Sequence, residues 1–309
     1  MIYTVTLNPA LDKTVEIPSF AVGTVNRITA LRVDPGGKGI NVSKVIAKLG
    51  GESEILAILG GGTGQAIARA VEALGLRADL TFVPGETRTN LKVVDPVGHT
   101  NTDINEPGLE VSAEQLDALL ARLTAKLQAG DLVVLSGSLP KGAPPDTYAG
   151  WIAACRAAGA RVFLDADGEP LRAGLKAAPY LAKPNNDELS RLAGRPLETL
   201  EELAAAAAAL LKDGLEQVVV SLGSKGALFV SRGRVLYAEG LKVPVGSTVG
   251  AGDSVVAALA YALDRGLPME ETVRLSMATG AANVMCSGSQ AAERADILPL
   301  MERVHFRPL

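Results

Sequence analysis

Histidine and cysteine are scarce in this chain. The two histidines, His99 and His305, cannot build a His-rich metal centre, and they leave little from which to assemble a Ser-His-Asp triad. The two cysteines, Cys155 and Cys286, sit in helix-like apolar stretches. That setting favours two free thiols over a disulfide and fits a reducing cytoplasm. Basic residues are not in excess: 30 Lys+Arg against 34 Asp+Glu leave a net charge of -4. Nothing in that balance draws the chain to nucleic acid or to an anionic membrane surface. No apolar run approaches the roughly 18 residues that a membrane span needs. Met1–Leu7 alternates like a strand and lacks the basic start and long apolar stretch of a signal peptide. There is no internal repeat. No G-x-G-x-x-G follows the first strand, so a dinucleotide fingerprint is missing, and Gly36-Gly37-Lys38-Gly39 lacks the Ser or Thr of a Walker A loop.

What is present is alternation. Strands are expected over 2–7, 53–59, 132–135, 161–165 and 217–221. Helices are expected over 39–49, 64–74, 113–127, 145–158, 200–212, 254–265 and 270–285. Val-, Ile- and Leu-rich strands between amphipathic helices predict a mostly parallel central sheet with helices on both faces. At 309 residues this fits a single α/β domain over 1–309. Two segments, roughly 12–34 and 86–105, alternate polar and apolar residues with no helix between them. They predict short antiparallel strands forming a small β lid inserted in the domain. Ligands of such sheets sit at the carboxyl ends of the strands, and the candidate motifs mostly follow strands.

The strongest motif is Ser247-Thr248-Val249-Gly250-Ala251-Gly252-Asp253-Ser254, between a β-like run and an apolar helical run. Small residues at a helix start leave backbone N–H donors free for an anion, at the positive end of the helix dipole. Asp253 inside that turn suits a proton acceptor beside a phosphate, with its pKa lowered by the helix start. It also suits simple stabilisation of the helix. Gly36-Gly37-Lys38-Gly39-Ile40-Asn41 brings flexible backbone, a compact cation and an amide together at another helix start. A tight turn with a solvated lysine is the other reading. Asp12, just past the first strand, is placed to bind hydroxyls or to cap a turn. Arg88, Asn90 and Lys92 share one strand face, as a phosphate clamp or as a soluble strand edge. Ser138 follows the strand at 132–135. Lys183, Asn185 and Glu188 follow another; the last two, three apart, share a helix face able to hold magnesium through water or to cap the helix. Ser221, Gly223 and Gly226 close the last core strand, as a rest for a nucleotide or as a hairpin turn.

Taken together, Gly-Gly-Lys-Gly-Ile-Asn at 36–41 and Thr-Val-Gly-Ala-Gly-Asp-Ser at 248–254 resemble the two signatures of the ribokinase-like (PfkB) family of carbohydrate kinases, over essentially the whole chain. Leu-Asn-Pro-Ala at 7–10, Glu-Thr-Arg-Thr-Asn at 86–90, Asn-Glu-Pro-Gly at 105–108, Ser-Gly-Ser-Leu-Pro at 136–140 and Lys-Pro-Asn at 183–185 fit the branch acting on ketohexose phosphates. The resemblance implies ATP-dependent phosphorylation of fructose 1-phosphate to the 1,6-bisphosphate. Lys38 is shared with tagatose-6-phosphate enzymes, which are the rival reading, and a non-catalytic sugar-phosphate-binding regulator is the other. Asp253 would be the base, and Gly250, Ala251 and Gly252 the anion hole. Asp12, Gly37 and Asn41 would hold sugar hydroxyls; Lys38, Arg88 and Ser138 would meet the substrate's own phosphate. Lys183, Asn185, Ser221, Gly223, Gly226 and Gly252 would contact ATP, with Asn185 and Glu188 near Mg²⁺ through water. A monovalent cation is a further candidate. The lid would close over the sugar and pair two subunits.

Overall fold

Successive residues of Leu132–Ser136 enter two different cores. Val133 and Leu135 pack with Trp151, Leu171 and Leu203, whereas Leu132 and Val134 pack with Val45, Val256 and Val273. A strand buried on both faces must lie inside a sheet covered on both sides. Each fully buried Val or Leu is worth about 1.5–3 kcal/mol relative to exposure.

The computed structural model describes residues 1–309. In chain order its elements are β1 (Ile2–Thr6), β2 (Ala10–Glu16), β3 (Ala30–Gly36), α1 (Lys38–Lys48), β4 (Ser53–Leu59), α2 (Gly61–Ala73), β5 (Arg77–Phe82), β6 (Arg88–Asp95), β7 (Thr100–Asn105) and α3 (Ala113–Lys126). Then come β8 (Leu132–Ser136), α4 (Thr147–Ala157), β9 (Arg161–Asp165), α5 (Gly168–Lys176), β10 (Leu181–Ala182), α6 (Asn186–Ala193), α7 (Leu200–Leu211) and β11 (Gln217–Ser221). The chain ends with β12 (Gly226–Ser231), β13 (Arg234–Glu239), α8 (Ala251–Asp264), α9 (Met269–Met285), α10 (Arg294–Met301) and β14 (Phe306–Pro308).

A 10-stranded sheet runs in the order β14-β13-β12-β11-β10-β9-β8-β1-β4-β5. It is parallel from β5 to β11 and antiparallel beyond. Helices α3, α4, α5 and α7 cover one face, and α1, α8, α9 and α10 the other. This is the ribokinase-like α/β fold that the sequence predicts. The 222–226 turn is a hairpin turn, one of the two readings its glycines allow, joining β11 to the antiparallel β12, and a further strand, β13, follows. Helices α5, α6 and α10 and strands β5, β10 and β14 add to the predicted elements. No helix is long and apolar enough to cross a membrane.

The second, 4-stranded sheet has the order β3-β2-β6-β7. It corrects the all-antiparallel expectation, because β2 and β6 pair in parallel, Ala10 opposite Arg88. β2 follows β1 and β6 follows β5, two parallel strands of the large sheet, so both leave its carboxyl edge in the same direction. One face of the small sheet carries Asp12, Asn90 and Lys92 toward the cleft. The other carries Val15 and Val93, which are buried, and Leu31, Val33 and Ile104, which are 60%, 46% and 52% exposed.

Candidate active site

A cleft of about 530 Å³ opens at the carboxyl ends of β1, β8, β9 and β10, with the small sheet as its other wall. Asp12, Gly37, Lys38, Asn41, Arg88, Ser138, Lys183, Glu188, Gly250, Gly252 and Asp253 all line it. These residues come from both ends of the sequence. The parallel topology gathers them because each follows a strand or opens a helix on the same edge.

Asp253 lies in the first turn of α8. The N-cap is Gly250, in the left-handed region at φ 75, and no side chain caps the helix. A non-glycine residue there would be strained. Asp253 is therefore not spent on the helix start. It is 6% exposed, and its Oδ2 accepts from Asn41 Nδ2 at 2.9 Å. Burial raises its pKa above the ordinary aspartate value, against the pull of Lys38. The helix-start lowering expected from sequence is overridden: removing a carboxylate from water costs more than partial dipole charges return.

Asp165 is the functional candidate that the motifs missed. It ends β9, is 3% exposed, and stands between two lysines: Lys38 Nζ lies 3.3 Å from Oδ2 and Lys183 Nζ 3.2 Å from Oδ1. Burial works against the charged form, but Lys183 and Lys38 outweigh it and hold the carboxyl below its ordinary pKa. Asp165 in turn raises Lys38 above the usual lysine value. The available signal was a carboxylate at the carboxyl end of a predicted strand.

On the small sheet, Asp12 accepts from Asn90 Nδ2 at 3.1 Å, and burial raises its pKa. The Arg88 guanidinium donates to the carbonyls of Asn8 at 3.0 Å, Pro9 at 3.4 Å and Glu106 at 3.2 Å. Three of its five donors are thus held by backbone at the stem of that sheet. Ser138 Oγ accepts from Asn8 Nδ2 at 3.1 Å, and the Gly137 amide donates to the Asp165 carbonyl at 3.0 Å.

Asn185 and Glu188 form a complete capping box at the start of α6. Asn185 Oδ1 accepts from the Glu188 amide at 2.8 Å, and Glu188 Oε2 accepts from the Asn185 amide at 2.8 Å. Asn185 does not line the cleft, whereas Glu188 does. Ser221, Gly223 and Gly226 also lie outside the cleft lining. Ser221 sits beside it, bridged to Asn185, with its amide on the Pro184 carbonyl at 3.0 Å. Gly226 has a structural duty: a Cβ there would collide with the Ala238 carbonyl.

A carboxylate buried on a glycine-rich helix start, facing lysines across a polar cleft, defines a phosphotransferase that acts on a small alcohol. The chain belongs to the pfkB family of carbohydrate kinases, whose model matches residues 5–296. It is 44% identical over 280 residues to 1-phosphofructokinase of Xanthomonas campestris, covering 89% of this chain and 88% of that one. It is 39% identical over 282 residues to 1-phosphofructokinase of Bacillus subtilis, with 91% and 92% covered. The fold overlays Phosphofructokinase-2 from Escherichia coli in complex with potassium at a TM-score of 0.93, 32% identity and 98% coverage of each chain.

Proposed function

We propose that the chain phosphorylates fructose 1-phosphate with ATP, giving fructose 1,6-bisphosphate and ADP. The observation that carries the reading is Asp253, buried and free of capping duty, in one cleft with Lys38, Lys183, Asp12 and Arg88. The relatives named 1-phosphofructokinase match this chain over most of their length. A protein that only senses a sugar phosphate has no use for such a proton acceptor.

The reaction follows from the groups in place. The C6 hydroxyl oxygen bonds to the γ-phosphorus as the bond to ADP breaks, and the hydroxyl proton passes to Asp253. In a loose transition state this proton leaves late, so orientation by Asn41 matters as much as basicity. A raised pKa makes Asp253 a better acceptor than an exposed aspartate. The amides of Gly250 and Gly252, which line the cleft, would face the charge that develops on the transferring group, while that of Ala251 between them also makes a long 3.4 Å bond to the Thr248 carbonyl. Asp12, Gly37 and Asn41 hold sugar hydroxyls. Lys38, Arg88 and Ser138 receive the phosphate already on the sugar; Lys38 does so while paired with Asp165.

The nucleotide phosphates would lie beside both Gly252 and Lys183, whose Nζ stands 3.4 Å from where a Cβ on Gly252 would be, so that one anion can meet backbone and ammonium together. Asn185, Ser221, Gly223 and Gly226 form the adjoining shelf for the rest of ATP. Magnesium fits as a hydrated ion carried on those phosphates. Glu188 has one carboxylate oxygen in its cap, and no cluster of three acidic, His or Cys side chains forms a cage. Magnesium neutralises charge on the phosphates, and Glu188, which lines the cleft, would hold its water shell, with Asn185 fixing Glu188 in place through the cap. A monovalent cation joins as a further candidate from the potassium complex of the Escherichia coli relative.

The small sheet serves as the lid of one α/β domain over 1–309 and excludes water from the transfer. Its outer apolar face, with Leu31, Val33 and Ile104, fits a homodimer through the lid.

A steady-state comparison of fructose 1-phosphate, tagatose 6-phosphate and fructose 6-phosphate, with coupled ADP detection, tests the reading. The highest kcat/KM is expected for fructose 1-phosphate. A preference for tagatose 6-phosphate reassigns the substrate, and no ADP release with any sugar phosphate removes the kinase reading.

A further inference from the structure

Lys44 is a buried ammonium on the same face of α1 as Asn41, 9% exposed. Its Nζ donates to two backbone carbonyls, Pro35 at 3.0 Å and Ser289 at 2.9 Å. Pro35 lies at the end of β3, where the small sheet returns to the large one. Ser289 is 5% exposed, lies in the loop after α9 and lines the cleft.

That loop and the end of α9 brace the glycine turn from behind. Asn283 Nδ2 donates to the Val249 carbonyl at 3.0 Å, one residue before the N-cap of α8. The amides of Gly246 and Ser247 both donate to the Val284 carbonyl, at 2.8 and 3.1 Å. On its other side the loop meets the small sheet: a Cβ on Gly288 would lie 3.2 Å from Asp34 Oδ2 and 3.3 Å from the Arg32 side chain. Lys44 is thus the tie between the stem of the lid and the brace of the phosphate turn.

A neutral donor could tie two carbonyls at far smaller cost, since burying an ammonium is expensive. The charge itself therefore needs a use. The charged groups facing it are Asp34 and Arg32 on β3, Asp12 on β2 and Asp253 on α8. Of the charged neighbours that keep Asp12 ionised, Lys44 acts most strongly, ahead of Arg88.

We propose that Lys44 is a positioning residue for phosphoryl transfer, locking the lid stem to the loop behind the 248–252 turn and supplying the positive charge against which Asp12 holds the sugar. The proposal rests on the kinase reading above. Lys44→Met keeps the unbranched stem of the side chain as far as Cε and removes the charged tip, whereas Lys44→Arg keeps the charge.

In Lys44→Met the KM for fructose 1-phosphate is expected to rise about tenfold, from lost charge-assisted hydrogen bonding, with KM for ATP much less affected. Without the cation, Asp12 protonates more easily, so the rise of that KM on acidification begins at a higher pH than in wild type. Lys44→Arg retains the wild-type pH profile. If Lys44→Met fails to fold, Lys44→Gln carries the same expectation. A neutral variant that only melts earlier, with both KM values and the pH profile unchanged, overturns the proposal, as does an arginine variant with a displaced profile. A wild type inactive on every sugar phosphate removes the parent reading and this one together. An active wild type with an indifferent Lys44→Met removes this one alone.

Discussion

Asn41 Nδ2 donates to Asp253 Oδ2 at 2.9 Å, and the other polar atom of that amide, Oδ1, has no protein partner although it is buried. One end of the side chain orients the proposed base while the other waits for a donor. An unsatisfied buried acceptor costs about 1–3 kcal/mol, and a sugar hydroxyl would remove that cost on binding. Substrate recognition and base alignment thus share one residue, held at the first turns of α1.

Asp253→Asn follows directly. The substitution is nearly isosteric, so the folded state is retained, but the proton acceptor is gone. The expected loss of kcat is about 10²–10⁴-fold, read from steady-state turnover of protein whose circular dichroism matches wild type. For wild type the pH profile carries a second mark. Burial raises the Asp253 pKa, and only the ionised form accepts a proton. The acid limb of kcat/KM, which reports the free enzyme, therefore falls at a higher pH than an exposed aspartate would set. A limb at or below the ordinary aspartate value would count against Asp253 as the base.

Asp165 supports a separate prediction. Lys183 and Lys38 converge on a carboxylate that is 3% exposed. Removing one member of a buried ionic group costs about 3–5 kcal/mol, so Asp165→Asn should lower the urea midpoint at neutral pH by a corresponding amount. The sign with pH is fixed by the depressed carboxyl pKa. Stabilisation from Asp165 is complete above the unfolded value, about 3.9, and is lost as pH falls through the lower folded value. The gap between wild type and variant should therefore close in that acid window. A gap that stays constant through that window contradicts the assignment.

The large sheet was readable because strands buried on both faces are continuous apolar runs, as in Val133–Leu135. Strand β10 was not, because two residues carry no periodicity. The glycine turn before β12 reads equally well as a hairpin turn or as a rest for a nucleotide, and the β11–β12 pairing makes it a hairpin. The parallel pairing of β2 with β6 depends on where each leaves the large sheet, which no local pattern records. The same limit applies to the site. Asp253 and Lys38 stand out by their glycines, but Asn41 and Asp253 are 212 residues apart, and the amide's duty toward the carboxylate exists only in three dimensions. Asp165 was visible in principle as a carboxylate ending a strand; only its two lysines make it more than a polar terminus.

Arg88 is expected to act twice. Its guanidinium ties the carbonyls of Asn8, Pro9 and Glu106, so it holds the stem of the small sheet while facing the cleft. Arg88→Ala should raise KM for fructose 1-phosphate at least about tenfold, as for loss of a charge-assisted contact, with a smaller change for ATP. It should also speed amide hydrogen exchange in β6 and β7, because the stem loses three hydrogen bonds. Equal effects on both substrates would remove the phosphate role and leave only the stem.

Glu188 allows cap and metal functions to be separated by two substitutions. Its side chain completes the capping box with Asn185, and it also lines the cleft. Glutamine can fill the same place in a capping box but carries no charge for a hydrated cation. Glu188→Gln should therefore keep wild-type stability while requiring a higher magnesium concentration for half-maximal turnover. Glu188→Ala should show that same magnesium requirement and also melt earlier, because the reciprocal half of the capping box is lost. Titrating magnesium against turnover, with thermal melts of both variants, reads the two effects independently. A glutamine variant with an unchanged magnesium requirement would confine Glu188 to holding the start of α6.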